Sequence, residues 1–148
     1  MNPNTGTLKV ELEGRGPLTL RPSDHVATGG EGSVYRAQGT SVKIYTDPDK
    51  MRRDGIVQKI QLLRPLGHKY VCAPEGIVND SRGSPIGIYM PFAEGEALPP
   101  IFTTSYWRRE GFGIEHAMKL IGRMRDTMVF AHDHKATMVD PNELNWIK

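Results

Sequence analysis

Apolar and polar residues alternate with a period of two over Leu8-Lys9-Val10-Glu11-Leu12, bounded by Gly14 and Gly16, so the chain begins with a short strand. Leu18-Thr19-Leu20 and His25-Val26-Ala27 are strand-like approaches to the cluster Gly29, Gly30 and Gly32. Val34 to Ala37 and Ser41 to Tyr45 are rich in β-favouring residues, and Gly39 between them predicts a hairpin. The period then changes. Asp47 offers a capping oxygen, Pro48 has no N–H to waste in a first helical turn, and Ile56, Ile60 and Leu63 recur at steps of four and three. The pattern predicts one helix from about Pro48 to Leu63, ended near Pro65 and Gly67, with Gly55 costing about 1 kcal/mol relative to alanine. Val71 to Val78, interrupted by Pro74, and Ile86 to Met90 read as two further strands around the turn Asn79 to Gly83. Phe92 to Pro100 holds glycine and proline without any period and reads as a hinge. Ile114, Ala117, Met118, Ile121, Met124, Met128 and Ala131 follow three- and four-residue steps, which predicts an amphipathic helix from Ile114 to about His132.

The order is five or six antiparallel strands interrupted by one helix, then a hinge, a long helix and a polar loop, an α+β arrangement without internal repeats. At 148 residues the chain has the length of an ordinary domain and can bury a real core. Its 19 basic and 17 acidic residues are well mixed and leave a net charge of +2, so no nucleic-acid footprint is visible. Lys50 to Arg53 and Arg108-Arg109 read as solvated helix faces. The one cysteine, Cys72, excludes an intramolecular disulfide and a cysteine-based zinc cluster, and it fits a reducing, cytoplasmic setting. No stretch approaches the roughly 20 apolar residues of a membrane span, so no membrane partner is expected.

Candidate chemistry gathers in two places. In Gly29-Gly30-Glu31-Gly32-Ser33-Val34-Tyr35, glycines allow backbone N–H groups to approach phosphate oxygens, although an ordinary hairpin turn has the same composition. Lys43, nine residues after Val34 on the next predicted strand, adds an ammonium beside that turn. At the other end, Asp140 lies eight residues after His132, and Asn145 five after Asp140. A capped Asp-Pro-Asn turn is the plain alternative there. His132-Asp133-His134 has no supporting ligands nearby in sequence and reads as a helix terminus that favours cations.

Taken together these motifs resemble the protein kinase-like superfamily, and most of all divergent bacterial serine/threonine kinases, over about Val26 to Lys148. Ala27, Gly29, Gly32 and Val34 stand at the fixed positions of the family's Gly-x-Gly-x-x-Gly-x-Val loop, with the first glycine replaced. The resemblance implies a small lobe, an antiparallel sheet of about five strands with one αC-type helix, followed by a hinge and the first helix of a large lobe. Its divisions are an N-terminal extension over 1–25, the small lobe over 26–92, and the hinge and large-lobe start over 93–148.

Under this resemblance Gly29, Gly30, Gly32 and Val34 cover a bound ATP, and Lys43 holds its α- and β-phosphates. Gln58 takes the place of the glutamate that pairs with that lysine, ahead of Gln61 and Glu75. Tyr89, Met90 and Phe92 line the hinge beside the adenine, with Tyr89 near the gatekeeper position. Asp140 orients or deprotonates the substrate hydroxyl, and Asn145 ligates magnesium. The family's His-Arg before the aspartate is Met138-Val139 here, and its lysine two residues after it is Asn142. The sequence stops three residues after Asn145, ahead of any Asp-Phe-Gly segment, so the chain as given is expected to be incomplete or inactive by itself. Expected partners are ATP and a protein substrate or binding partner, with self-association through an exposed long helix. The alternatives are a noncatalytic, pseudokinase-type binding module and a small-molecule kinase relative.

Overall fold

In a computed structural model of the chain, which describes residues 6–67, 71–138 and 145–147, one antiparallel sheet dominates. Its strands are β1 (Leu8–Leu12), β2 (Gly16–Leu20), β3 (His25–Thr28), β4 (Gly32–Ala37), β5 (Thr40–Tyr45), β6 (Gly76–Asn79) and β7 (Pro85–Pro91). Among the described residues they lie in the order β2-β1-β6-β7-β5-β4-β3. Helices α1 (Pro48–Arg53) and α2 (Ile56–Leu63) interrupt the sheet between β5 and β6, and α3 (Thr104–Glu110) and α4 (Ile114–Asp133) follow it. The α+β class and the helix-interrupted antiparallel sheet are as the sequence predicts. The chain divides into two compact units, Met1–Phe92 and Ala93–Lys148.

In the first unit the period-two pattern separates two apolar clusters. Val10, Leu12, Leu18, Leu20, Tyr35, Val42, Val78 and Tyr89 pack together on one face of the sheet. On the other, Ile77 and Ile88 receive Ile60 of α2, flanked by Ile56, Val57, Tyr45 and Met90. Each fully buried aliphatic side chain contributes on the order of 1.5–3 kcal/mol. The predicted hairpin is β4–β5. Ala37 pairs with Thr40, and the two residues between them, Gln38 (φ 51°) and Gly39 (φ 72°), are both left-handed, the geometry that suits the strands' twist.

The single helix expected from Pro48 to Leu63 is broken in two. Asp47 caps α1 as predicted, its Oδ1 accepting from the Lys50 N–H at 2.8 Å. Gly55, however, takes a left-handed conformation (φ 69°, ψ 26°) between α1 and α2. The apolar steps Ile56, Ile60 and Leu63 all follow Gly55, so the pattern carries no information about the break, and a glycine adopts this conformation at little cost and redirects the chain there. The strand expected from Val71 is confined to β6, beginning at Gly76, because Pro74 cannot donate to a ladder.

Tyr89 ties the β1–β2 turn to the sheet. Its hydroxyl donates to the Glu13 carbonyl at 2.6 Å. The Arg15 guanidinium stacks 5.1 Å from its ring centroid while donating to Thr40 Oγ1 at 3.0 Å and pairing with Glu75. Burial pushes the Tyr89 phenol above its ordinary pKa. Tyr89→Phe leaves the Glu13 carbonyl without that donor, and a loss of about 1–2 kcal/mol is expected from urea unfolding.

In the second unit α4 occupies the predicted span. Helix α3 has no apolar period in the sequence to predict it: Thr103 Oγ1 accepts from the Tyr106 N–H at 3.3 Å to start it, and left-handed Gly111 (φ 58°) stops it. Leu98, Ile101 and Tyr106 form the core there, with Phe112, Leu120, Met124 and Trp146 against them. Among the described residues no helix is long and apolar enough to cross a membrane.

Candidate functional site

The β3–β4 turn carries the glycines. Thr28 pairs with Ser33, and the Gly29 N–H donates to the Gly32 carbonyl at 2.9 Å, closing a tight loop over Gly29, Gly30 and Glu31. A Cβ built on Gly29 or Gly30 would meet no atom within 4 Å, so the loop's crest is open. Gly32 differs: a Cβ there would lie 2.2 Å from the Ile44 carbonyl oxygen, so its lack of a side chain is required by the neighbouring strand.

Register sets which side chains share the loop's face. Val34 pairs with Lys43, Lys43 with Ile88, and Ile88 with Ile77. Directly opposed residues of antiparallel strands point to the same side. The next row is Arg36, Ser41 and Met90. Beyond it, the Phe92 ring receives the Arg36 guanidinium at 4.1 Å, and the Phe92 N–H donates to the Gly39 carbonyl at 3.0 Å. Val34, Lys43, Met90 and Phe92 are thus gathered along β4, β5 and the end of β7. Tyr89 is not. It pairs with Val42 and points into the opposite cluster, where its hydroxyl is taken by Glu13, so strand parity removes it from the face of Lys43.

Lys43 has a partner that the sequence did not assign. Its ammonium donates to Glu31 Oε2 at 2.6 Å and lies 4.6 Å from the Tyr45 ring centroid. The hydrogen bond and the charge of Lys43 hold the Glu31 carboxyl below its ordinary pKa. Gln58 does not supply this contact. It is exposed on α2, with its Oε1 3.6 Å from where a Gly55 Cβ would stand, back over the start of its own helix. The signal for Glu31 was the hairpin register: Gly32 opposite Tyr45 sets Glu31 beside Thr46, whose N–H donates to the Glu31 carbonyl at 2.9 Å.

Of the C-terminal motif, Asp140 and Asn142 lie outside the described residues. Asn145 is exposed, Trp146 packs on the core of the second unit, and Ile147 forms an antiparallel bridge with Ala97. His132 is exposed in the last turn of α4, and His134 Nδ1 lies 2.8 Å from the Phe130 carbonyl. The same unit holds an apolar groove of about 620 Å³ walled by Ile101, Phe102, Trp107, Leu120, Ile121 and Met124.

No protein-family model matches the chain, and no curated protein matches it. Solved structures do. The PknI kinase domain of Mycobacterium tuberculosis superposes with a TM-score of 0.55 at 15% identity, covering 82% of this chain and 50% of that one. A cysteine-to-alanine mutant of that domain gives 0.58 at 13% identity, covering 98% and 56%. The chain therefore has a protein kinase-like fold and spans about half the length of the solved domains it matches.

Proposed function

We propose that this chain, with its protein kinase-like fold, binds magnesium-ATP on the face of Lys43 and serves phosphoryl transfer to serine or threonine of a protein substrate. One observation carries the reading: the Val34–Lys43 register sets an ammonium beside a glycine turn whose crest is open, on the face shared by Met90 and Phe92. The residues present fit a nucleotide. Lys43 is the point charge for the α- and β-phosphates, and the Gly29 and Gly30 backbone can come close to phosphate oxygens. Val34, Met90 and Phe92 supply apolar surface for the base. Asp140 is assigned to the proton of the substrate hydroxyl and Asn145 to magnesium, which when bound offsets charge on the transferred phosphate. The exposed Cys72, the chain's single cysteine, accords with a reducing cytoplasm.

The test is a titration of the isotope-labelled chain with magnesium-ATP, followed by amide shifts. Movement centred on Gly29, Gly30, Glu31, Met90 and Phe92 is expected, and an unperturbed glycine turn at saturating ATP would sink the reading.

A second reading has its own observation. Ile114, Met118 and Ile121 of α4 are 70%, 61% and 57% exposed, an apolar stripe suited to a protein partner or a second copy of the chain. A complex that forms equally well without nucleotide, by a chain that does not bind ATP, would favour a noncatalytic module.

A further inference from the structure

We propose that Glu31 makes the phosphate site selective for metal-complexed nucleotide over the free polyanion. The inference rests on the ATP-site reading and adds a specificity-determining residue to it.

The Glu31 carboxylate already occupies the ammonium that a phosphate needs, at 2.6 Å from Lys43 Nζ. Its backbone is fixed on both sides. The Thr46 N–H holds the Glu31 carbonyl at 2.9 Å, and the Gly29 to Gly32 hydrogen bond closes the turn. Release of Lys43 therefore needs rotation of one side chain, with no opening of the loop. The asymmetry of exposure decides which partner moves: the Glu31 side chain is 79% exposed and that of Lys43 27%. The glutamate swings into water while the lysine stays against Tyr45, its ammonium 4.6 Å from the ring centroid.

After that rotation the carboxylate is still tethered at the crest of the loop, close to any phosphate bound beneath it. Lys43 and Lys50 are the cations acting on it. When a ligand engages Lys43, Glu31 loses its nearest compensating charge, and repulsion between carboxylate and phosphate grows with the ligand's own charge. A free triphosphate meets this repulsion in full. A divalent cation on the phosphates offsets part of it and offers the carboxylate an attractive neighbour. An exposed carboxylate is screened by water and salt, so the discrimination is modest and depends on ionic strength.

The experiment compares the full chain with Glu31→Gln and Lys43→Met by calorimetry, titrating ATP in EDTA and ATP with excess magnesium, at low and at near-physiological salt. Glu31→Gln keeps the shape of the side chain and removes its charge. It is expected to tighten metal-free ATP about five-fold at low salt and magnesium-ATP about two-fold or less, with the gap closing as salt is added. Equal changes for the two forms, or none, in a chain that binds ATP and loses it in Lys43→Met, would overturn the selectivity and leave the site standing. Binding of neither form by the unaltered chain removes the site and the selectivity together.

Discussion

Gly87→Ala is expected to lower stability by about 3–5 kcal/mol in urea unfolding. Gly87 lies in β7 between two partners, opposite Ile44 of β5 and Val78 of β6. A Cβ there would stand 2.2 Å from the Lys43 carbonyl oxygen and 3.2 Å from Ile44 Cδ1. The nearer obstacle is backbone, so no rotamer relieves it. The β5–β7 ladder must part, and with it the strand that carries Lys43. Gly32 presents the same obstacle on β4, where a Cβ would meet the Ile44 carbonyl oxygen at 2.2 Å. Strand β5 is thus held between two glycines, one on each neighbour. A Gly87→Ala midpoint equivalent to the unaltered chain within about 0.5 kcal/mol would show that the strands are not this close.

This pair of glycines also marks what could be read from the sequence and what could not. The family resemblance places Gly32 in a phosphate loop, whereas its neighbours show a packing requirement, and the open positions Gly29 and Gly30 behave as a loop crest. The β4–β5 hairpin is legible because runs of β-favouring residues flank a glycine turn, and that alone sets Lys43 beside the loop. Helix α4 was legible because its apolar steps persist over 20 residues. Helix α3, with seven, is too short to show a period, and its signal was confined to the Thr103 cap. The break at Gly55 is not legible because the apolar steps begin only at Ile56, while the Asp47-Pro48 start signal lies before it, so no pattern in the sequence spans the junction.

At the site, the placement of side chains depends on non-local register. Whether Tyr89 or its neighbours Ile88 and Met90 share the face of Lys43 is a matter of parity. It is settled only by the pairing of β5 with β7, two strands separated in sequence by α1, α2 and β6. The resemblance likewise places the partner of Lys43 on the following helix, at Gln58. The nearer carboxylate, Glu31, lies across the hairpin.

Lys43→Met is expected to separate the site from the scaffold. Methionine keeps most of the lysine's apolar stem and fills irregular space, so packing beside Tyr45 persists. What is lost on the scaffold side is an ion pair with a mostly exposed glutamate, and a stability change of no more than about 1 kcal/mol is expected. The ligand loses the fixed cation facing its phosphates. A charge-assisted contact of this kind contributes roughly 1.5–3 kcal/mol, so ATP affinity should fall by about ten-fold to more than a hundred-fold, beyond detection for a weak ligand. Lys43→Arg tests whether charge alone suffices. A planar guanidinium on a longer stem restores the cation but not its point geometry, so partial recovery is expected. Unchanged ATP affinity in Lys43→Met would place the nucleotide elsewhere. Lost affinity accompanied by a fall in thermal midpoint as large as that of Gly87→Ala would instead assign Lys43 to the scaffold, because a binding residue removed from this surface leaves the β4–β5–β7 ladder intact.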